Sequence, residues 1–106
     1  MRIISRRTLR LFADSPKGQK GGAALKAALD SWFHEVQKAK WRSTADIKKR
    51  YAHASIINAE RVVFNIKGND YRLIAAVDFK LSAVWIKWIG THRDYDHIDA
   101  ATVEHE

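Results

Sequence analysis

Between Glu60 and Asp96 the chain reads ERVVFNIKGNDYRLIAAVDFKLSAVWIKWIGTHRDYD, and apolar side chains recur there at alternate positions around two breaks. A period of two belongs to a strand whose alternate residues line opposite faces, so the stretch predicts three antiparallel strands joined by short turns. Lys67-Gly68-Asn69-Asp70 marks the first turn, because Gly, Asn and Asp tolerate the left-handed backbone that a hairpin requires. Asp78 to Ser82 marks the second with a weaker signal.

Alternation sorts these side chains onto two faces. Val62, Phe64 and Ile66 share one face of the first strand; Leu73, Ala75 and Val77 share one face of the second. On the third, Val84, Ile86 and Trp88 are expected opposite Trp85, Lys87 and Ile89. One face is apolar and suited to covering by helices. Its reverse carries Asn65, Lys67, Arg72, Lys87 and Trp85 among apolar neighbours. Half-buried cations beside an indole are costly in a core that does nothing but pack. They suit a surface that holds a phosphate with a base stacked nearby. A register slip of one residue would exchange the two faces.

The chain before these strands predicts the covering layer. Met1 to Ile4 reads as a short opening strand, and Ser5 as the N-cap of a helix from Arg6 to about Ala13, ended by Asp14-Ser15-Pro16. Lys17-Gly18-Gln19-Lys20-Gly21-Gly22 reads as a basic connector loop without the pattern of a nucleotide-binding phosphate loop. Leu25, Ala28, Leu29, Trp32, Phe33 and Val36 then form one apolar stripe on a helix from Ala23 to Ala39. Ser43 with Asp46 resembles a capping box for a short helix through Arg50.

At 106 residues, with 46% hydrophobic content, the chain fits one globular domain, expected over residues 1–97, followed by an acidic, flexible tail over 98–106. It has no cysteine, and no run approaches the roughly 18 apolar residues of a membrane span. Arginines interrupt the N-terminal segment where a signal peptide needs unbroken apolar character, so a cytoplasmic protein is expected. Residues 1–50 hold 13 Lys/Arg against 4 Asp/Glu, whereas residues 51–106 hold 6 against 8. Such asymmetry favours a polyanion as partner, nucleic acid above all. A solvated cationic face, or one masked by an acidic protein, fits the same charge. His92, Asp94, Asp96 and His97 match no familiar metal spacing, so neither metal nor cofactor is expected.

Taken together, Val62-Val63-Phe64-Asn65-Ile66-Lys67-Gly68-Asn69-Asp70-Tyr71-Arg72-Leu73-Ile74, followed by Gly90-Thr91-His92 and Tyr95-Asp96, resembles the HigB family of toxins from type II toxin–antitoxin systems, relatives of the RelE-like mRNA interferases. Trp41 with Ala45-Asp46-Ile47-Lys48 fits the middle segment of that family, and the likeness runs from the first strand to Asp96. The resemblance implies an α+β fold, with N-terminal helices packed on a curved, mainly antiparallel sheet. It implies metal-independent cleavage of mRNA on the ribosome, with inhibition of translation and growth. The implied partner is a HigA-like helix-turn-helix antitoxin, through which operator DNA would be reached only indirectly. Arg72 stands where relatives place an arginine on a central strand, and His92 and Tyr95 where they place a C-terminal histidine or tyrosine.

RNA cleavage without metal needs a base for the 2′-hydroxyl, charge stabilisation for a five-coordinate phosphorus, and an acid for the departing 5′-oxygen. Arg72, a planar and permanently charged fork, is the first candidate for the phosphate. Lys87 could add charge, His92 suits proton transfer near neutrality, and Tyr95 could stack or assist it. Lys67, Asn69, Lys48, Lys49, Arg50 and Trp85 are the candidates for holding RNA. A structural ion pair from Arg72 to Asp78 or Asp94 competes with the catalytic reading. A non-enzymatic RNA- or ribosome-binding module competes with the enzyme.

Overall fold

The computed structural model describes residues 1–104. In chain order it runs β1 (Arg2–Ile4), α1 (Arg6–Asp14), α2 (Pro16–Lys38), α3 (Thr44–Arg50), β2 (Ser55–Ile56), β3 (Arg61–Ile66), β4 (Tyr71–Asp78), β5 (Ala83–Thr91) and α4 (His92–Tyr95). The strands form one five-stranded sheet in the order β1-β5-β4-β3-β2. Among the described residues only β1, which lies parallel to β5, departs from antiparallel pairing. This is the expected α+β arrangement. Among the described residues, no helix is long and apolar enough to cross a membrane.

One sheet face is the core. Val62, Phe64 and Ile66 of β3, Leu73, Ala75 and Val77 of β4, and Val84 and Ile86 of β5 are buried there, as the alternation predicts. They are covered by Leu9 and Ala13 of α1, Leu25, Leu29, Trp32 and Val36 of α2, and Ile47 of α3. Phe64 is the centre of this layer. It is fully buried, with Trp32 and Tyr51 edge-on at 5.4 and 5.1 Å between centroids and Trp41 stacked at 6.2 Å. The Tyr51 hydroxyl donates to Glu35, and burial, followed by that carboxylate, holds the phenol well above its ordinary ionisation range.

The third strand departs from simple alternation. Ile74 pairs with Trp88 but Ala75 pairs with Ile86, so Lys87 is the extra residue of a β-bulge. A bulge inverts the parity of everything beyond it. Ile89, expected on the reverse face, therefore enters the core, and Trp88, expected in the core, turns to the reverse face beside Ile74.

Three local expectations also change. The stretch expected to be a connector loop over residues 17–22 is the first part of α2. Pro16 fits the first helical turn, where its missing N–H removes no bond, and the Ser15 hydroxyl accepts from the Gly18 amide at 3.2 Å. The only break is at Gly22, whose φ of 59° lies in the left-handed region. Ser5 precedes α1 but makes no side-chain cap; its carbonyl accepts from the Thr8 amide at 2.9 Å. Ser43 likewise makes no side-chain cap, while the Asp46 carboxylate reaches back to the Arg42 amide at 2.8 Å.

Gly18 is required where α2 meets α1, since a Cβ there would fall 1.9 Å from the Phe12 carbonyl oxygen. Backbone on both sides cannot yield as a flexible side chain would. Gly18→Ala is expected to destabilise the fold by about 1–3 kcal/mol, read as a lower urea midpoint with an unchanged slope.

Candidate active site

The sheet face opposite the helices carries the polar residues. Cross-strand partners share a face, so the register sets Arg61, Val63 and Asn65 of β3 beside Ala76, Ile74 and Arg72 of β4. The same rows continue into β5 as Trp85, Trp88 and Gly90. Arg72 is only 8% exposed. Such a cation must be hydrogen-bonded to be tolerated, and its partners are local.

One terminal nitrogen of Arg72 donates to the Asn69 and Tyr71 carbonyls at 2.9 and 3.2 Å. The other reaches Asn69 Oδ1 and His92 Nδ1, each at 2.7 Å. Among the described residues no carboxylate pairs with Arg72, neither Asp78 nor Asp94. A guanidinium has no acceptor to offer, so Nδ1 of His92 accepts and the neutral ring carries its proton on Nε2. That nitrogen lies 3.9 Å from Asp96 Oδ2.

Several bonds position His92 for this contact. It opens the single turn α4, and its backbone N–H donates to the Asp70 carbonyl in the β3–β4 hairpin at 2.9 Å. Thr91 caps the turn by accepting from the Asp94 amide at 3.1 Å. Asp94 in turn meets Lys17 of α2 at 2.5 Å. That lysine, chiefly by hydrogen-bonding the ionised form, holds the Asp94 carboxyl below its usual range. The contact therefore tethers α4 above the ordinary carboxylate range and is lost as pH falls through the lowered value.

Beside the pair opens a groove of about 550 Å³ lined by Lys20, Lys67, Asn69, Asp70, His92 and Arg93, with Tyr71 and Thr91. Lys67 stands at its edge in the hairpin turn, at a φ of 53°, and lies 3.4 Å from Asp70. Tyr95 completes the aromatic wall, its ring centroid 5.9 Å from the Arg72 guanidinium carbon and 6.3 Å from the Trp88 ring. Gly90 makes room for that wall, since a Cβ there would come within 2.4 Å of the Trp88 ring.

The expected site residues thus separate into groups. Arg72, His92, Tyr95, Asn69 and Lys67 come together, with Asn69 acting on Arg72 through both its carbonyl groups. Lys87 does not join them: its ammonium pairs with Glu104 at 3.0 Å. Trp85 lies opposite Ala76, near Lys87 rather than Arg72. Lys48 directs its ammonium to the Ala52 and Ala54 carbonyls, both at 2.7 Å, and Arg50 pairs with Glu35 at 2.6 Å. Lys49 is exposed. Arg50, His53, Asn65 and Asn69 also line a second groove of about 700 Å³ on the other side of the hairpin.

Trp88, Lys20 and Arg93 were not singled out by the sequence. Trp88 was hidden by the bulge, and Lys20 by the reading of its helix as a loop. Arg93 directly follows His92, and that adjacency was the available signal. A smaller groove between α1 and α2, about 290 Å³, is lined by Arg6, Leu9, Arg10, Lys26, Asp30 and Phe33 among others and holds no histidine or tyrosine.

A family model described as HigB toxin, RelE-like toxic component of a toxin–antitoxin system, matches residues 25–98. The matched span contains β3, β4, β5 and α4, and with them Arg72, His92 and Tyr95. No curated protein matches the chain. With a match over well more than half its length, the chain belongs to the HigB family of RelE-like toxins, the toxic components of toxin–antitoxin systems.

Proposed function

We propose that this toxin is an endoribonuclease that cuts messenger RNA on the ribosome, in the cytoplasm, without a metal ion, and so arrests translation and growth. The observation that carries this reading is the 2.7 Å contact between a buried arginine and a histidine at the edge of a cationic groove. Among the described residues Arg72 faces neutral acceptors only, so no carboxylate offsets its charge where an anion would arrive.

In the reaction the RNA 2′-oxygen bonds to the adjacent phosphorus and the bond from phosphorus to O5′ breaks. Arg72 turns one terminal N–H from His92 to a non-bridging oxygen, where the added negative charge develops. That exchange uncovers Nδ1, which takes the 2′-hydroxyl proton. The imidazolium so formed gives its Nε2 proton to the departing O5′, leaving a neutral ring, a 2′,3′-cyclic phosphate and a 5′-hydroxyl. Lys67, Lys20 and Arg93 hold flanking phosphates, and Tyr95 with Trp88 supplies a surface on which a base stacks. Lys49 and Arg50 extend the cationic track around the hairpin.

The antitoxin that neutralises this protein is proposed to be a HigA-like helix-turn-helix protein, and operator DNA is reached only through it. Induced expression in bacteria tests the reading. Growth should stop within a generation, co-expression of the neighbouring antitoxin gene should restore it, and message 5′ ends should accumulate inside translated reading frames. Arrest with intact messages would instead mark a ribosome- or RNA-binding protein that cleaves nothing.

A further inference from the structure

Arg61 opens β3 and, like Arg72, is a buried arginine. Its guanidinium meets the C-terminal segment, donating to the Ala100 and Val103 carbonyls at 3.2 and 2.6 Å and to Glu104 Oε1 at 2.7 Å. Lys87, the bulge residue of β5, reaches the other oxygen of the same carboxylate, Oε2, at 3.0 Å. Two cations from strands on either side of β4 therefore converge on one anion with two oxygens. Their side chains are 10% and 25% exposed, whereas that of Glu104 is 61% exposed. The cations are built into the sheet, and the anion arrives from the segment after α4, outside any helix or strand. These contacts join the segment expected to be a flexible tail to the sheet as far as Glu104; residues 105 and 106 lie outside the described residues.

A groove of about 570 Å³ adjoins this clamp, lined by Arg42, Lys80, Lys87 and Trp85 and by the two carboxylates Glu60 and Asp78. It lies on the sheet face that also carries Arg72. A phosphodiester presents two non-bridging oxygens to such a clamp, as a carboxylate does, and Trp85 offers a stacking surface beside it. We propose that Arg61 and Lys87 form a second phosphate site, for an RNA backbone phosphate away from the scissile one. Glu104 fills this site in the free protein and gives way to RNA. The inference rests on the reading of the protein as an RNA-cleaving toxin. Glu104 is the exposed partner, so water, salt and a competing anion reach its carboxylate, and ionised Glu104 acts as a competitor rather than a lock.

The test uses the full chain carrying His92→Ala, so that bound RNA survives, with a labelled mixed-sequence single-stranded RNA as probe. Glu104→Gln should tighten binding by about 2–5-fold, the range of a weak competing ion pair whose carboxylate is open to solvent. Asp99→Asn, an equal change of charge on the same segment, should leave binding unchanged. In a Lys87→Ala background the gain from Glu104→Gln should shrink, and Lys87→Ala alone should lower the salt slope by about 0.7–1. Circular dichroism checks that each variant is folded. Unchanged or weaker binding by Glu104→Gln overturns the second site, as does a gain that persists in full without Lys87. Cleavage by the protein with His92 intact is scored separately. Cleavage without the Glu104 effect removes only the second site, whereas loss of both binding and cleavage removes the RNA reading as well.

Discussion

Arg72→Ala is expected to lower message cleavage by about 10²–10³ and to abolish growth inhibition, the typical consequence of removing one preorganised charge stabiliser. The variant loses the group that covers Nδ1 of His92 and is proposed to meet the phosphate. Arg72→Lys should recover little, because an ammonium cannot span Asn69 and His92 as a planar fork does. Folding must be separated from catalysis here, since Arg72 is buried and its removal leaves the Asn69 carbonyl groups without their partner. The folded fraction from a thermal melt, together with retained antitoxin binding, provides that separation. A folded Arg72→Ala protein that still arrests growth would remove Arg72 from the mechanism.

Phe64→Ala is expected to have the largest effect on stability. The ring is fully buried among Trp32, Trp41 and Tyr51, three large side chains fixed on α2, the segment after it and the end of α3. Such rings cannot collapse into the space left behind, so the loss should reach about 3–5 kcal/mol. For a domain of this size each kcal/mol shifts the melting temperature by about 4–8 °C. Phe64→Leu keeps most of the volume and should cost far less. Similar melting temperatures for Phe64→Ala and the wild type would mean that the aromatic layer is not the centre of the core.

The core was legible because it depends on periodicity. Val62, Phe64, Ile66, Leu73, Ala75 and Val77 repeat at two, and Leu25, Leu29, Trp32 and Val36 at helical spacing, so each side chain declares its face without knowledge of its neighbours. Legibility stopped at Lys87, where a bulge placed by pairing with β4 inverted the strand without any glycine or proline to announce it. It stopped again at Lys17 to Gly22, where three glycines suggested a loop. Two of them serve close packing instead, Gly18 against the Phe12 carbonyl and Gly21 against the Tyr71 hydroxyl.

At the site, residue chemistry indicated Arg72 and His92, but their partners were fixed by distance in space. Asn69 as the holder of Arg72, Trp88 beside Tyr95, and Arg61 clamped on Glu104 all follow from the register of β3, β4 and β5 and from the path of the chain after α4. Arg61 was the most accessible of these, since it lies two and four residues before Val63 and Asn65 on the same alternating face.

End chemistry in a purified translation reaction tests the central claim most directly. With the toxin added to ribosomes translating a defined message, fragments should carry 2′,3′-cyclic or 3′-phosphate termini and 5′-hydroxyls. They should disappear with Arg72→Ala or with a 2′-O-methyl group at the cut nucleotide. Fragments ending in 3′-hydroxyl and 5′-phosphate, or cleavage that survives the 2′-O-methyl substitution, would contradict attack by the RNA's own hydroxyl at the Arg72–His92 pair.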